Sequence, residues 1–131
     1  MSDCSPKHQP VTGDKIPDAV GPYSPAVKWG EVIFCSGQLG TDPETGQLAE
    51  GVEAQTRQAL SNLKNLLEAG GSGLCCVVKT TVFLNDMNDF QAMNPIYAEA
   101  FGENRPARST IEVARLPLDA LVEVEAYAYI P

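Results

Sequence analysis

Arg108 and Glu123 carry the charges best placed to do chemistry together. From Leu121 to Ile130, apolar Val122, Val124, Ala126, Ala128 and Ile130 alternate with Glu123, Glu125, Tyr127 and Tyr129, the pattern of a strand with one apolar and one polar face. Before it, Arg108, Thr110 and Glu112 share one face of a second strand, and Ser109, Ile111 and Val113 share the other. Paired as a hairpin, the two strands favour Thr110 opposite Glu123 and Arg108 opposite Glu125. The alternative register sets Glu112 against Glu123, a like-charge pair that costs stability. Arg108 then lies within diagonal reach of Glu123. Two interpretations stay open at this point. One is a cross-strand salt bridge on a wet face. The other is a small-anion site, in which Arg108 takes a substrate carboxylate through two parallel N–H donors while Glu123 holds a water or moves a proton.

Other chemistry finds less support. Cys4, Cys35, Cys75 and Cys76 have no CxxC spacing and no second ligand cluster, so neither a zinc site nor a disulfide framework is expected. Free thiols, with no signal-peptide pattern after Met1, point to a reducing, cytoplasmic setting. His8 is the single histidine and sits between Pro6 and Pro10 in a polar stretch, which removes the commonest general base. Asp42-Pro43-Glu44-Thr45-Gly46 is turn chemistry and lacks the remaining ligands of a calcium loop. Gly70-Gly71-Ser72-Gly73 follows a helical segment, whereas a phosphate loop precedes one.

The elements that must position these residues follow from periodicity. The chain has 131 residues, 44% of them hydrophobic and 20% charged, which predicts one small soluble globular domain with a sizeable core. Its net charge is −8, and Arg105, Arg108 and Arg115 are interleaved with Glu103 and Glu112. Neither nucleic acid nor an anionic membrane surface is an expected partner of such a chain. Residues 1–15 are polar and proline-containing and are expected to form a flexible N-terminal tail, with residues 16–131 as the domain. Tyr23–Trp29 and Val32–Cys35 suggest a hairpin turned by Gly30-Glu31, closed by Ser36-Gly37-Gln38. A helix is predicted over Val52–Ala69, then a buried strand over Cys75–Leu84. A second helix starts in the cap-rich Asn85–Asp89 with Phe90, Met93, Tyr97 and Phe101 on its apolar side. Pro95 either follows a fresh N-cap at Asn94 or kinks that helix. Strands over Ala107–Val113 and Leu121–Ile130 complete the order β-β-α-β-α-β-β. The predicted fold is α+β, a single mixed sheet with two helices packed on one face.

The segment Arg105-Pro106-Ala107-Arg108-Ser109-Thr110-Ile111-Glu112-Val113-Ala114-Arg115-Leu116-Pro117, continuing into Val122-Glu123-Val124-Glu125-Ala126, resembles the signature of the RidA/YjgF imine deaminase family. Gly21-Pro22-Tyr23-Ser24, Ser36-Gly37-Gln38 and Val77–Phe83 running into Asn88-Asp89-Phe90 resemble it too, in family order from about Ile16 to Pro131. The resemblance implies a chorismate-mutase-like fold, a homotrimer with clefts between subunits, and cofactor-free, metal-free hydrolysis of 2-imino acids to 2-keto acids and ammonia. It implies Arg108 as the carboxylate-binding residue and Glu123 as the residue that positions the water. Tyr23, Ser36, Gly37, Asn94 and Thr110 would line the cleft. Thr110 stands where many members carry cysteine, so no thiol role applies there. A non-catalytic carboxylate-binding module and an RNA-cleaving translation inhibitor are the competing functions.

Overall fold

A computed structural model describes residues 4–131 of the chain. Its strands are β1 (Gln9–Pro10), β2 (Ala26–Trp29), β3 (Val32–Leu39), β4 (Val77–Leu84), β5 (Ala107–Glu112) and β6 (Val122–Tyr129). Helix α1 (Gly51–Ala69) lies between β3 and β4, and α2 (Phe90–Phe101) lies between β4 and β5. The six strands form one sheet in the order β1-β2-β3-β6-β4-β5. β6 runs antiparallel to both β3 and β4, while β4 and β5 are parallel. The predicted α+β sheet with two helices is therefore the architecture observed.

Alternation decides which face is covered. Val122, Val124, Ala126 and Ala128 on β6, Thr80, Val82 and Leu84 on β4, and Ile33 and Cys35 on β3 are all buried. Leu60, Leu63, Leu66 and Leu67 of α1 and Met93, Ile96, Tyr97 and Phe101 of α2 complete that core. A smaller cluster of Leu39, Leu116 and Ala120, with Phe83 against it, forms at one end of the opposite face. Elsewhere on that face Trp29, Val32, Phe34, Ile111, Tyr127 and Tyr129 remain exposed.

The expected hairpin between the last two strands does not form. β4 lies between β5 and β6, and the segment from Val113 to Leu121 straddles its end through bonds to the Leu84 carbonyl and from the Asn85 N–H. A parallel neighbour needs a long crossover, and α2 supplies one. Both edges of β6 are then filled by β3 and β4, leaving β5 at the sheet edge. Three boundaries move as well. β3 runs through Ser36-Gly37-Gln38 to Leu39 with an irregularity between Cys35 and Gln38, where a closing turn was expected. Leu74–Cys76 is a 3₁₀ turn before β4. Pro95 lies inside α2, a continuous helix entered from Asp89 rather than restarted at Asn94. Of the expected tail, residues 1–3 lie outside the described residues. Gln9 and Pro10 pair with β2, and Val11 is buried in the core.

One buried amide fastens the loop after β3. The Asn62 amide nitrogen on α1 donates to the carbonyls of Leu39 (3.0 Å) and Thr41 (2.8 Å), and its oxygen accepts from Gln58. At Gly40 between them, a side chain would strike the backbone of Gln55, so helix and loop approach too closely for any other residue. Asn62→Ala should cost about 1–3 kcal/mol by leaving buried carbonyls unpaired, read as a lower urea midpoint with an unchanged m-value.

Candidate functional site

Seven residues were expected to line one site, and in a single chain they separate into two groups. Rung positions explain the division. Arg108 pairs with Thr80, which pairs across with Ala126, and these two neighbours are buried beneath the helices. Residues on one rung share a face, so Arg108 faces α2. Glu123 shares a rung with Phe83 and Leu39 and faces the opposite side. Arg108 and Glu123 thus lie on opposite faces of the same sheet, and the diagonal contact expected from the hairpin is absent.

The first group is Arg108, Asn94 and Thr110. Arg108 and Asn94 line a cleft of about 300 Å³ together with Tyr97, Asn104 and Arg105. The Arg108 guanidinium carbon stands 4.6 Å from the Tyr97 ring centroid and 5.5 Å from that of Phe90. Among the described residues no carboxylate pairs with it, and the ion pair present is Arg115–Asp119. Arg105, the other cation of the cleft, donates to the Gly102 and Asn104 carbonyls. Arg108 is therefore a cation held over aromatic faces with its N–H fork uncommitted. Thr110, two residues along β5, is half-buried on the same face.

The second group is Tyr23, Ser36, Gly37 and Glu123. The Ser36 hydroxyl donates to the Ser24 carbonyl at 2.7 Å, tying the Gly21–Ser24 segment to β3. Tyr23 and Gly37 line a second cavity of about 250 Å³. Gly37 packs directly on the Glu123 side chain, and a methyl group there would come within 2.6 Å of the carboxyl carbon. Burial, and then the neighbouring charge of Glu125, raise the Glu123 pKa above the ordinary glutamate value. A half-buried carboxyl of raised pKa beside the Gly37 backbone suits proton transfer to or from a bound water.

Tyr97, Phe90 and Thr80 were not among the expected site residues. Tyr97 and Phe90 read as core positions because they fall on the apolar stripe of α2. The available signal was the Tyr97 hydroxyl, since a tyrosine within such a stripe needs a polar partner. That partner is the buried Thr80 hydroxyl, 2.6 Å away. The cysteines take no part. All four are free, and burial pushes the Cys35 thiol up to about 12.

The family model described as Endoribonuclease L-PSP matches residues 13–130. The chain belongs to that family. It is 52% identical over 117 residues to a RutC family protein of Pyrococcus horikoshii, covering 88% of this chain and 93% of that protein. It is 46% identical over 121 residues to the 2-iminobutanoate/2-iminopropanoate deaminase of Salmonella typhimurium, covering 90% and 94%. The crystal structure of RidA from an Antarctic Psychrobacter superposes with a TM-score of 0.91 at 46% identity, covering 93% of this chain and 99% of that one.

The raised Glu123 pKa has a stability consequence of known sign. A carboxyl whose folded pKa exceeds its unfolded value binds more protons when folded, so stability falls as pH rises through that interval. Glu123→Gln removes the titration. Its melting temperature should match the parent's below the unfolded glutamate pKa and exceed it near pH 7, a divergence that calorimetry from about pH 3 to pH 8 would detect.

Proposed function

We propose that the protein hydrolyses small 2-imino acids to 2-keto acids and ammonia, at sites assembled between copies of the chain in a homotrimer. The observation that carries the reading is an unpaired, aromatic-backed arginine on one face of the sheet and a raised-pKa glutamate on the other. A protonated imine carbon is already electrophilic, so its hydrolysis asks mainly for orientation and for proton transfer. Arg108 grips the substrate carboxylate through its planar fork, which makes attack by a nearby water effectively intramolecular. The water oxygen adds to the C=N carbon while Glu123 takes its proton, giving a carbinolamine. Glu123 returns a proton to the amine nitrogen and, as the C–N bond breaks, takes the proton of the carbinolamine hydroxyl, so that ammonia departs and the keto acid remains. Tyr23, Ser36, Gly37, Asn94 and Thr110 bound the cleft in this reading.

Assembly is supported by the uncovered side of the sheet. Trp29 is 63% exposed there, with Val32, Phe34, Tyr127 and Tyr129 beside it. Contiguous apolar surface of this kind marks an interface. A second copy docked on that face could bring its Arg108 to this chain's Glu123, joining the two groups of residues. The similarity to a named 2-imino acid deaminase supports the choice of substrate. The family's endoribonuclease description finds little footing in these residues, since His8 is the one histidine and the net charge is −8. Free cysteines support a cytoplasmic setting.

Turnover of imines generated in situ by an amino-acid oxidase, measured against their decay in buffer, tests the chemistry. Arg108→Lys should lose about 10²-fold in kcat/KM, because an ammonium cannot reproduce the two-donor fork. Glu123→Gln should lower kcat while a non-reactive keto acid still binds. Parental turnover by Glu123→Gln would remove its catalytic role and favour a ligand-binding module.

Mixing tests the shared site. Arg108→Ala and Glu123→Gln chains, each inactive alone, should regain about one quarter of the parental sites after random reassembly. Light scattering should give three chains per particle. A monomer, or a mixture that stays inactive, would contradict a site built from two copies.

A further inference from the structure

Tyr97 has no role in the chemistry above, yet it is the ring nearest the Arg108 guanidinium, at 4.6 Å from its centroid. Its hydroxyl is joined to the Thr80 hydroxyl at 2.6 Å. Thr80 is fully buried and is also the rung partner of Arg108 on β4. The same residue therefore fixes both the backbone level from which Arg108 projects and the far end of the ring it covers. On the second side, Tyr97 packs against Phe101 with centroids 4.6 Å apart. Phe90, two turns earlier on the same face of α2, adds a further ring at 5.5 Å from the guanidinium. We infer that Tyr97, locked by Thr80, is a positioning residue that holds the Arg108 fork in its carboxylate-binding orientation, with Phe90 as a lesser support.

The chemistry of the support matters. A carboxylate beneath Arg108 would orient it equally well but would occupy the donors that a substrate carboxylate must use. A π face attracts the cation without accepting its in-plane N–H groups, so orientation is gained and the fork stays free. In this chain, with 17 acidic and nine basic side chains, an acidic partner would have been easy to supply, yet among the described residues none pairs with Arg108. The Tyr97 hydroxyl is moreover directed to Thr80 and away from any competition for the ligand. Asn94 precedes Tyr97 by three residues on α2 and lines the same cleft, so the platform and the cleft wall move as one helix.

The inference rests on Arg108 being the carboxylate anchor, and the test separates the two ideas. Binding of 2-oxobutanoate, a non-reactive keto acid, is measured calorimetrically for the parent, Arg108→Ala, Tyr97→Leu, Tyr97→Phe and the Arg108→Ala/Tyr97→Leu double variant. Tyr97→Leu should weaken binding about 3- to 30-fold and raise KM for the imine in proportion, with kcat far less affected. Tyr97→Phe, which restores the ring, should recover most of that affinity despite losing the bond to Thr80. In the Arg108→Ala background the Tyr97 change should have no further effect, since it acts through a side chain no longer present. Parental affinity in Tyr97→Leu alongside lost binding in Arg108→Ala would overturn the positioning role and leave the anchor standing. Parental affinity in Arg108→Ala would overturn both. If Tyr97→Leu does not fold, Phe90→Leu and the ring-current shift of the Arg108 Nε–H resonance decide. The parent should show that shift, and Phe90→Leu should reduce it and weaken binding together. An unshifted parent resonance, or a reduced shift with unchanged affinity, would overturn the inference.

Discussion

The parallel pairing of β4 with β5 is the constraint on which the rest of this molecule depends. Parallel neighbours cannot be joined by a tight turn, so the chain must cross the sheet, and α2 is that crossing. Once α2 is committed there, its apolar stripe seals the core and also supplies the rings above β5. β6 must then enter between β3 and β4, which fills both of its edges. Arg108 faces helix and Glu123 faces the open side, and Glu123 could not exchange faces without a one-residue slip that would turn Val122 and Val124 out of the core.

Electrostatics reinforce that separation. In a strongly acidic chain, Arg108 is kept from neutralisation by geometry: it sits on an edge strand over Tyr97 and Phe90, and the neighbouring Arg105 is spent on backbone carbonyls. Glu123 lies in the opposite situation. Phe83 and the small cluster around Leu39 withdraw water from it, Glu125 adds like charge, and the missing side chain at Gly37 makes room for its carboxyl. An unpaired cation and a carboxyl that resists ionisation are thus held on opposite faces of one sheet. In the proposed reaction, joining the two requires a second copy of the chain, which would also cover Trp29 and its neighbours.

The sequence by itself determined the periodic features, because they record local burial. The strict alternation from Val122 to Tyr129 survives as the central strand, Leu60, Leu63, Leu66 and Leu67 bury the stripe of α1, and Gly30-Glu31 turns the β2–β3 hairpin with Gly30 at φ +62°. Residue types at Arg108 and Glu123 left a salt bridge and a carboxylate site both open, and their placement on opposite faces removes the salt bridge within one chain. Strand partnership was decided elsewhere. An alternating strand fits an antiparallel neighbour on either edge, and nothing within Arg108–Glu112 specifies that β4 rather than β6 lies beside it. The stretch Ser36-Gly37-Gln38 has turn composition, and its pairing with β6, with Gln38 opposite Val124 after an irregularity, makes it part of a strand. Only the tertiary structure could set Arg108 over Tyr97, bind Tyr97 to Thr80 and send Glu123 to the far face. Those contacts join residues far apart in the chain, and their geometry comes from sheet order, which local side-chain patterns do not encode.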